Sequence, residues 1–230
     1  MLVLGMDSSA KTASVGICDD EKLIVNFTLN HKRTHSEKLL EMVDMALKTA
    51  QLDITDIDAF AITKGPGSFT GLRIGLSTVK GLCHALDKPC YTTSTLSMLY
   101  ENVCKEYEDA LIVPMMDARR SEVYTAVFDK EKRLSEDLAI PVCELFEIID
   151  GFCKEKNVVF TGDGVLPNID AINKHFGKRA QIASEDLIYG SGYAVIKAAL
   201  KEKNPLKYDE VLPSYLRLSQ AERLKKKINI

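Results

Sequence analysis

The chain has 230 residues, 46% of them apolar and 27% charged, with a formal net charge of −3. This is ordinary globular composition, enough for one large domain or two modest ones, and it excludes an intrinsically disordered chain. No apolar run reaches the roughly 18–20 residues of a membrane helix, and the slight negative charge gives no global field for gripping nucleic acid.

The opening stretch MLVLGMDSS has no basic region and no small-residue cleavage site, so no secretory signal is expected. Residues 2–6, 12–18 and 23–29 read as three short strands joined by hairpin-length polar segments. Residues 36–50 have helical spacing, with Leu39, Leu40, Val43, Ala46, Leu47 and Ala50 recurring on one side. A strand at 59–63 leads into a glycine-rich loop at 65–70 and a helix at 71–86, which stops before Pro89. A strand at 90–93 and a helix at 95–105 complete a βββαβαβα order.

A similar order returns, with strands at 111–116 and 122–128, a weak third at 134–140 and a helix at 143–153. A strand at 158–161 and helices at 165–176 and 194–202 close it. The topology is duplicated and the sequence is not, which predicts two α/β halves, 1–105 and 106–230. Paired halves of this kind resemble the actin, Hsp70 and sugar-kinase (ASKHA, ribonuclease H-like) architecture, a likeness of fold rather than of activity. The six cysteines, 18, 83, 90, 104, 143 and 153, include no CxxC pair and read as reduced thiols of a cytoplasmic protein.

Two turns, one from each half, bind phosphate in that architecture through converging backbone N–H groups. The first is kept in reduced form as Asp7-Ser8-Ser9, with Asp7 in position for hydrated Mg²⁺. The second, Asp117-Ala118-Arg119-Arg120-Ser121-Glu122, has no glycine and carries carboxylates. Gly162-Asp163-Gly164 reads as a remnant of a nucleoside loop. An efficient ATP site is therefore not expected.

The histidine pair His31/His35 has chelating i, i+4 spacing but is flanked by Lys32 and Arg33 and lacks a general-base glutamate. His84 and His175 read as structural or exposed. Ser68 lies in GSFTG, which is not a nucleophile elbow, and either Ser68 or Thr70 is expected to cap the following helix.

Four stretches carry a resemblance to a family: GMDSS, KGPGSFTGLRIG, MDARRSEVY and PSYLR, at residues 5–9, 64–75, 116–124 and 213–217. GPGSFTGLRIG is similar to the element shared by TsaD and TsaB proteins, once grouped as glycoprotease-like, and the last two stretches resemble the TsaB (YeaZ) family in particular. The resemblance implies a subunit that binds TsaD, and through it the ATPase TsaE, for threonylcarbamoyl transfer to the adenosine beside the anticodon of tRNA. It also implies contact with tRNA only through the complex and a homodimer when the chain is alone. TsaD chelates its metal with two histidines four apart on the helix after the GPGSFTG helix; here Thr95 and Leu99 take those positions. No catalytic and no metal-ligating residue is assigned, and no tightly bound cofactor is expected. ATP or ADP with Mg²⁺ at a shared interface remains open, with Asp7, Ser8 and Ser9 as the nucleotide-contacting residues. The enzyme alternatives are a TsaD-like metal-dependent transferase or peptidase and a small sugar-kinase-type ATPase.

The helix at 71–86 is apolar or small over more than half its circumference, wider than packing on one sheet requires. With the first helix it supplies the expected partner face: Leu39, Leu40, Met42, Val43 and Leu47, then Gly71, Leu72, Gly75, Thr78, Val79 and Leu82. On this expectation Gly75→Leu blocks association and leaves the fold intact.

Overall fold

The computed structural model describes residues 1–30, 38–130 and 132–217. Strand β1 (Leu2–Asp7) runs antiparallel to β2 (Ala13–Asp19), which pairs antiparallel with β3 (Lys22–Leu29) through an irregularity at Ile17/Cys18. On its other side β1 is parallel to β4 (Ala59–Thr63), and β4 to β5 (Cys90–Thr93). Strands covered on both faces should be apolar throughout, and Val3, Leu4, Met6, Ala59, Phe60, Ala61 and Ile62 are all buried.

The second sheet follows the same plan. β6 (Leu111–Asp117) pairs antiparallel with β7 (Glu122–Thr125), and β7 with β10 (Leu138–Pro141). Parallel partners are β11 (Val158–Thr161) beside β6 and β12 (Ala180–Ile182) beside β11. A two-residue pair, β8 (Phe128–Asp129) and β9 (Lys132–Arg133), is inserted at the side of β6. β12 escapes sequence pattern reading because three residues are too few to show a period. The expected 122–128 strand breaks after Thr125, where the chain leaves the β7 pairing for β8.

Helices α1 (Leu39–Ala50) and α2 (Phe69–Leu86) share one core with Leu4, Met6, Phe60 and Ile62, on one face of the first sheet. α4 (Val142–Phe152) and α5 (Ile169–Phe176) place Leu145, Ile149, Ile172 and Phe176 in the core of the second half. The remaining two helices are exchanged. α3 (Thr95–Val103), from the first half of the sequence, packs on β6 and β11, while α6 (Gly192–Lys201) packs across β1, β2 and β4. β13 (Pro205–Leu206) then adds antiparallel to β5 at the edge of the first sheet. A boundary at 105/106 divides the sequence repeat but does not follow the packing. Close approach makes the α6 contact possible: Gly5 faces that helix, and a Cβ there would lie 2.5 Å from Ile196 Cγ1.

Among the described residues no helix is long and apolar enough to cross a membrane. All six cysteines are free; Cys18, Cys83 and Cys90 are core residues, whereas Cys143 is exposed. Burial pushes the Cys18 thiol up to about 11, so it stays protonated at neutral pH.

Candidate functional site

The C-terminal ends of β1 and β4 meet the start of α2 at a tight polar junction. Asp7 is buried and accepts hydrogen bonds from the Ser9 N–H (3.1 Å) and from the Thr63 hydroxyl. The Ser8 hydroxyl donates to Gly71 O at 2.9 Å, and the Ser68 N–H donates to Ser9 O at 2.7 Å. Ser68 caps α2 by accepting from the Gly71 N–H at 3.3 Å, as the sequence suggests. The glycines of GPGSFTG make room for this junction. A Cβ at Gly67 would strike Ser9 O, and one at Gly71 would strike Ser8 O. Asp7, Ser8 and Ser9 are therefore brought together, but their polar atoms largely serve the chain itself.

Across the cleft lies the second turn. Arg119, Arg120 and Ser121 have φ of 61°, 57° and 59°, a left-handed run without a glycine. Asp117 Oδ1 accepts from the Arg119 N–H at 2.7 Å, and Asp163 Oδ1 accepts from the Asp117 N–H at 3.1 Å. The Gly162–Gly164 loop thus closes over the end of β6. Burial raises the Asp163 carboxyl above the usual aspartate value, partly offset by that hydrogen bond.

Between the two turns the space is about 10 Å³, lined by Asp7, Thr95, Met98, Leu99, Met116 and Asp163 among others. That is room for about one water molecule, where a nucleotide-sized ligand needs several hundred Å³ (roughly 300 or more). Thr95 Oγ1 is buried here without a hydrogen-bond partner, which suits a single polar guest and not a triphosphate. Nucleotide does not fit this closed form. Thr95 and Leu99 do share a face of α3 toward the space, but a lone hydroxyl and an isobutyl group cannot chelate a metal. Among the described residues no three His, Cys, Asp or Glu side chains gather as a metal site. His31 and His35 lie outside the described residues, and so do residues 223–227, where Arg223, Lys225, Lys226 and Lys227 make a basic run in the sequence.

A strap formed by the end of the described chain ties the halves together. Running back along α2, it places Tyr208 against His84 (4.4 Å between centroids) and Val211 O within 3.2 Å of Lys80 Nζ. The Ser214 N–H donates to Lys64 O at 2.7 Å, and Tyr215 stacks on Phe69 at 4.7 Å while its hydroxyl accepts from Arg73 Nε. Arg217 then reaches the second half, donating to Ala118 O and pairing with Glu122, both at 2.6 Å. The PSYLR motif is legible in the sequence, but its clamp role is not, because its partners, Ala118 and Arg73 among them, lie 99 and 142 residues away. His175 has a structural place, 2.8 Å from Asp150 Oδ2 and packed beside Phe146.

The partner face expected from sequence divides in two. Leu39, Met42, Val43, Leu47, Leu72, Gly75 and Val79 are buried in this chain's own core. Gly75 is small for an internal reason: a Cβ would strike Ser8 Oγ and lie 3.2 Å from Ile62 Cδ1. The expectation that Gly75→Leu spares the fold is corrected on that ground. What remains outside is Leu40 (57% exposed) and Met45 (55%) on α1, with Gly71, Thr78 and Leu82 half-buried on α2. Spacing along α2 adds Ile74, Gly81 and Ala85 to Thr78 as one outward stripe, and a Cβ at Gly81 would meet nothing within 4 Å. Arg73, Lys80 and His84, on the neighbouring side of α2, are taken by the strap.

Duplicated halves with exchanged helices, a cleft at the strand ends and a turn from each half define a protein of the actin/Hsp70/sugar-kinase architecture. A solved ASKHA-type neighbour, the activator of 2-hydroxyisocaproyl-CoA dehydratase from Clostridium difficile with bound ADPNP, is similar at TM-score 0.53 and 13% identity, covering 98% of each chain. The family model for TsaD, tRNA N6-adenosine threonylcarbamoyltransferase, matches residues 22–224. TsaB of Bacillus subtilis, a tRNA threonylcarbamoyladenosine biosynthesis protein, is 29% identical over 96% of both chains. A Pseudomonas aeruginosa protein described as similar to peptidase YeaZ superposes at TM-score 0.79 with 23% identity, over 94% of this chain and 99% of that one. The chain belongs to this family, in its TsaB (YeaZ) branch, and so to tRNA threonylcarbamoyladenosine biosynthesis.

Proposed function

We propose that the chain is a non-catalytic subunit that docks TsaD, and through it TsaE, for threonylcarbamoyl transfer to the adenosine beside the tRNA anticodon. The observation that carries this reading is the contrast between two regions. The cleft where a relative would do chemistry is closed to about one water, and among the described residues it gathers no three metal-ligating side chains. By contrast, α1 exposes Leu40 and Met45 at the two margins of its outward side, and α2 presents a stripe of small residues that admits a close helix. Nucleotide and metal chemistry then belongs to the partners. tRNA is reached through the assembly, and the same helical face serves a homodimer when TsaD is absent.

The test is co-purification with TsaD. Gly81→Leu adds bulk where nothing in the chain stands, and Leu40→Arg with Met45→Arg adds charge to the exposed pair. Both are expected to lose TsaD while melting no lower than wild type; recovery of TsaD at wild-type yield with both would refute the docking face.

A further inference from the structure

At the opposite end of the sheets from Asp7 and Met116, where β1 and β6 begin, α3 and α6 leave a hollow of about 970 Å³. A second hollow of about 570 Å³ adjoins it and shares Glu101, Lys105, Tyr193 and Lys197. The first is within the size of sites that enclose small organic ligands. Leu200 gives it apolar surface over the buried Ile112 and Ile196, and Tyr107 and Tyr193 give aromatic surface.

Its five carboxylates and five lysines balance in number but are unequally paired. Glu101, only 5% exposed, is paired with Lys201 at 2.6 Å. Asp20 is held by the N-terminal ammonium at 2.9 Å. Lys197 stands where the two hollows meet and has only neutral partners at close range. Its ammonium donates to the Glu101 carbonyl at 2.8 Å and lies 4.8 Å from the Tyr193 ring centre, and no carboxylate among the described residues comes within 4 Å. A half-buried cation with no carboxylate in direct contact favours an incoming anion.

We propose that this hollow binds a small organic anion, a carboxylate or phosphate ester, whose charged group pairs with Lys197 and whose aromatic or aliphatic body lies on Tyr193 and Leu200. Glu21, Glu108 and Asp109 line the hollow together with Lys105, Lys130 and Lys203, so an entering anion meets charges of both signs. Burial holds Lys197 below the ordinary lysine value, with the nearby Glu101 charge opposing; a bound anion offsets that burial. The site is remote from the α1–α2 face and does not depend on TsaD docking.

Calorimetric titration of the whole chain with phenyl phosphate, inorganic phosphate and phenol separates charge from body. Phenyl phosphate is expected to bind one-to-one, about tenfold or more tightly than either fragment. Lys197→Met should weaken it about tenfold or more through loss of the charge pair, and Leu200→Trp should abolish it by filling the wall, with both variants checked for cooperative melting. If Lys197→Met does not fold, Leu200→Trp and Lys197→Gln carry the test. No saturable binding by the wild type at millimolar phenyl phosphate, or undiminished binding in the folded variants, overturns the proposal.

Discussion

Gly75 and Gly81 occupy the same helix and have opposite reasons for being glycine. Gly75 faces Ser8 and Ile62, so Gly75→Leu forces side chain against the Asp7 junction. It should destabilise the fold by about 1–3 kcal/mol or prevent folding, as overpacking does; urea denaturation measures this. Gly81 faces open space, and Gly81→Ala removes only the helix penalty, so it should stabilise by about 1 kcal/mol. Asp163 offers a pH test. Its folded value is raised by burial above the reference 3.8, so the folded state holds the proton more tightly than the unfolded chain. Native stability falls as pH rises from 3.8 through the raised value, because the buried carboxylate must ionise. Asp163→Asn should match wild type below that window and exceed it above, in thermal melts taken across the range. A sequence cannot show this: the aspartate sits in a plausible GDG loop, and only the tertiary structure buries it.

At the scale of elements, α2 has three sides with three uses. One packs on the sheet, one carries the strap, and the third presents Ile74, Thr78, Gly81 and Ala85 outward. Periodicity alone reveals the excess of apolar and small residues on this helix, and it places α1, α2 and their parent strands correctly. It cannot divide the excess between core and surface, since Gly75 and Gly81 look alike until the Ser8 turn is folded beneath one of them. The strap was hidden for a related reason: its contacts are single polar pairs and ring stackings far apart in sequence, with no period to detect. Arg217→Ala removes a bond to Ala118 O and the pair with Glu122, leaving a carbonyl and a carboxylate without their donor. The expected cost is about 1.5–3 kcal/mol, as for hydrogen bonds to charged groups, with faster hydrogen exchange at the β6–β7 turn and along residues 208–215.

At the scale of the whole molecule, the closed cleft and the exchange of α3 and α6 decide behaviour. The purified chain is expected to show no ATP turnover above that of an Asp7→Ala control; robust turnover lost in that variant would overturn the non-catalytic assignment. The duplicated topology was readable from the alternation of strand and helix patterns. The exchange was not, because the helical pattern of residues 192–201 states that one face is buried without stating on which sheet. That crossing has a consequence for synthesis. When residues 1–105 have left the ribosome, the sheet side that will receive α6 is still bare, and its edge strand β13 is not yet made. A nascent chain arrested there should be protease-sensitive and bound by trigger-type chaperones, and should gain resistance only once translation passes the last helix.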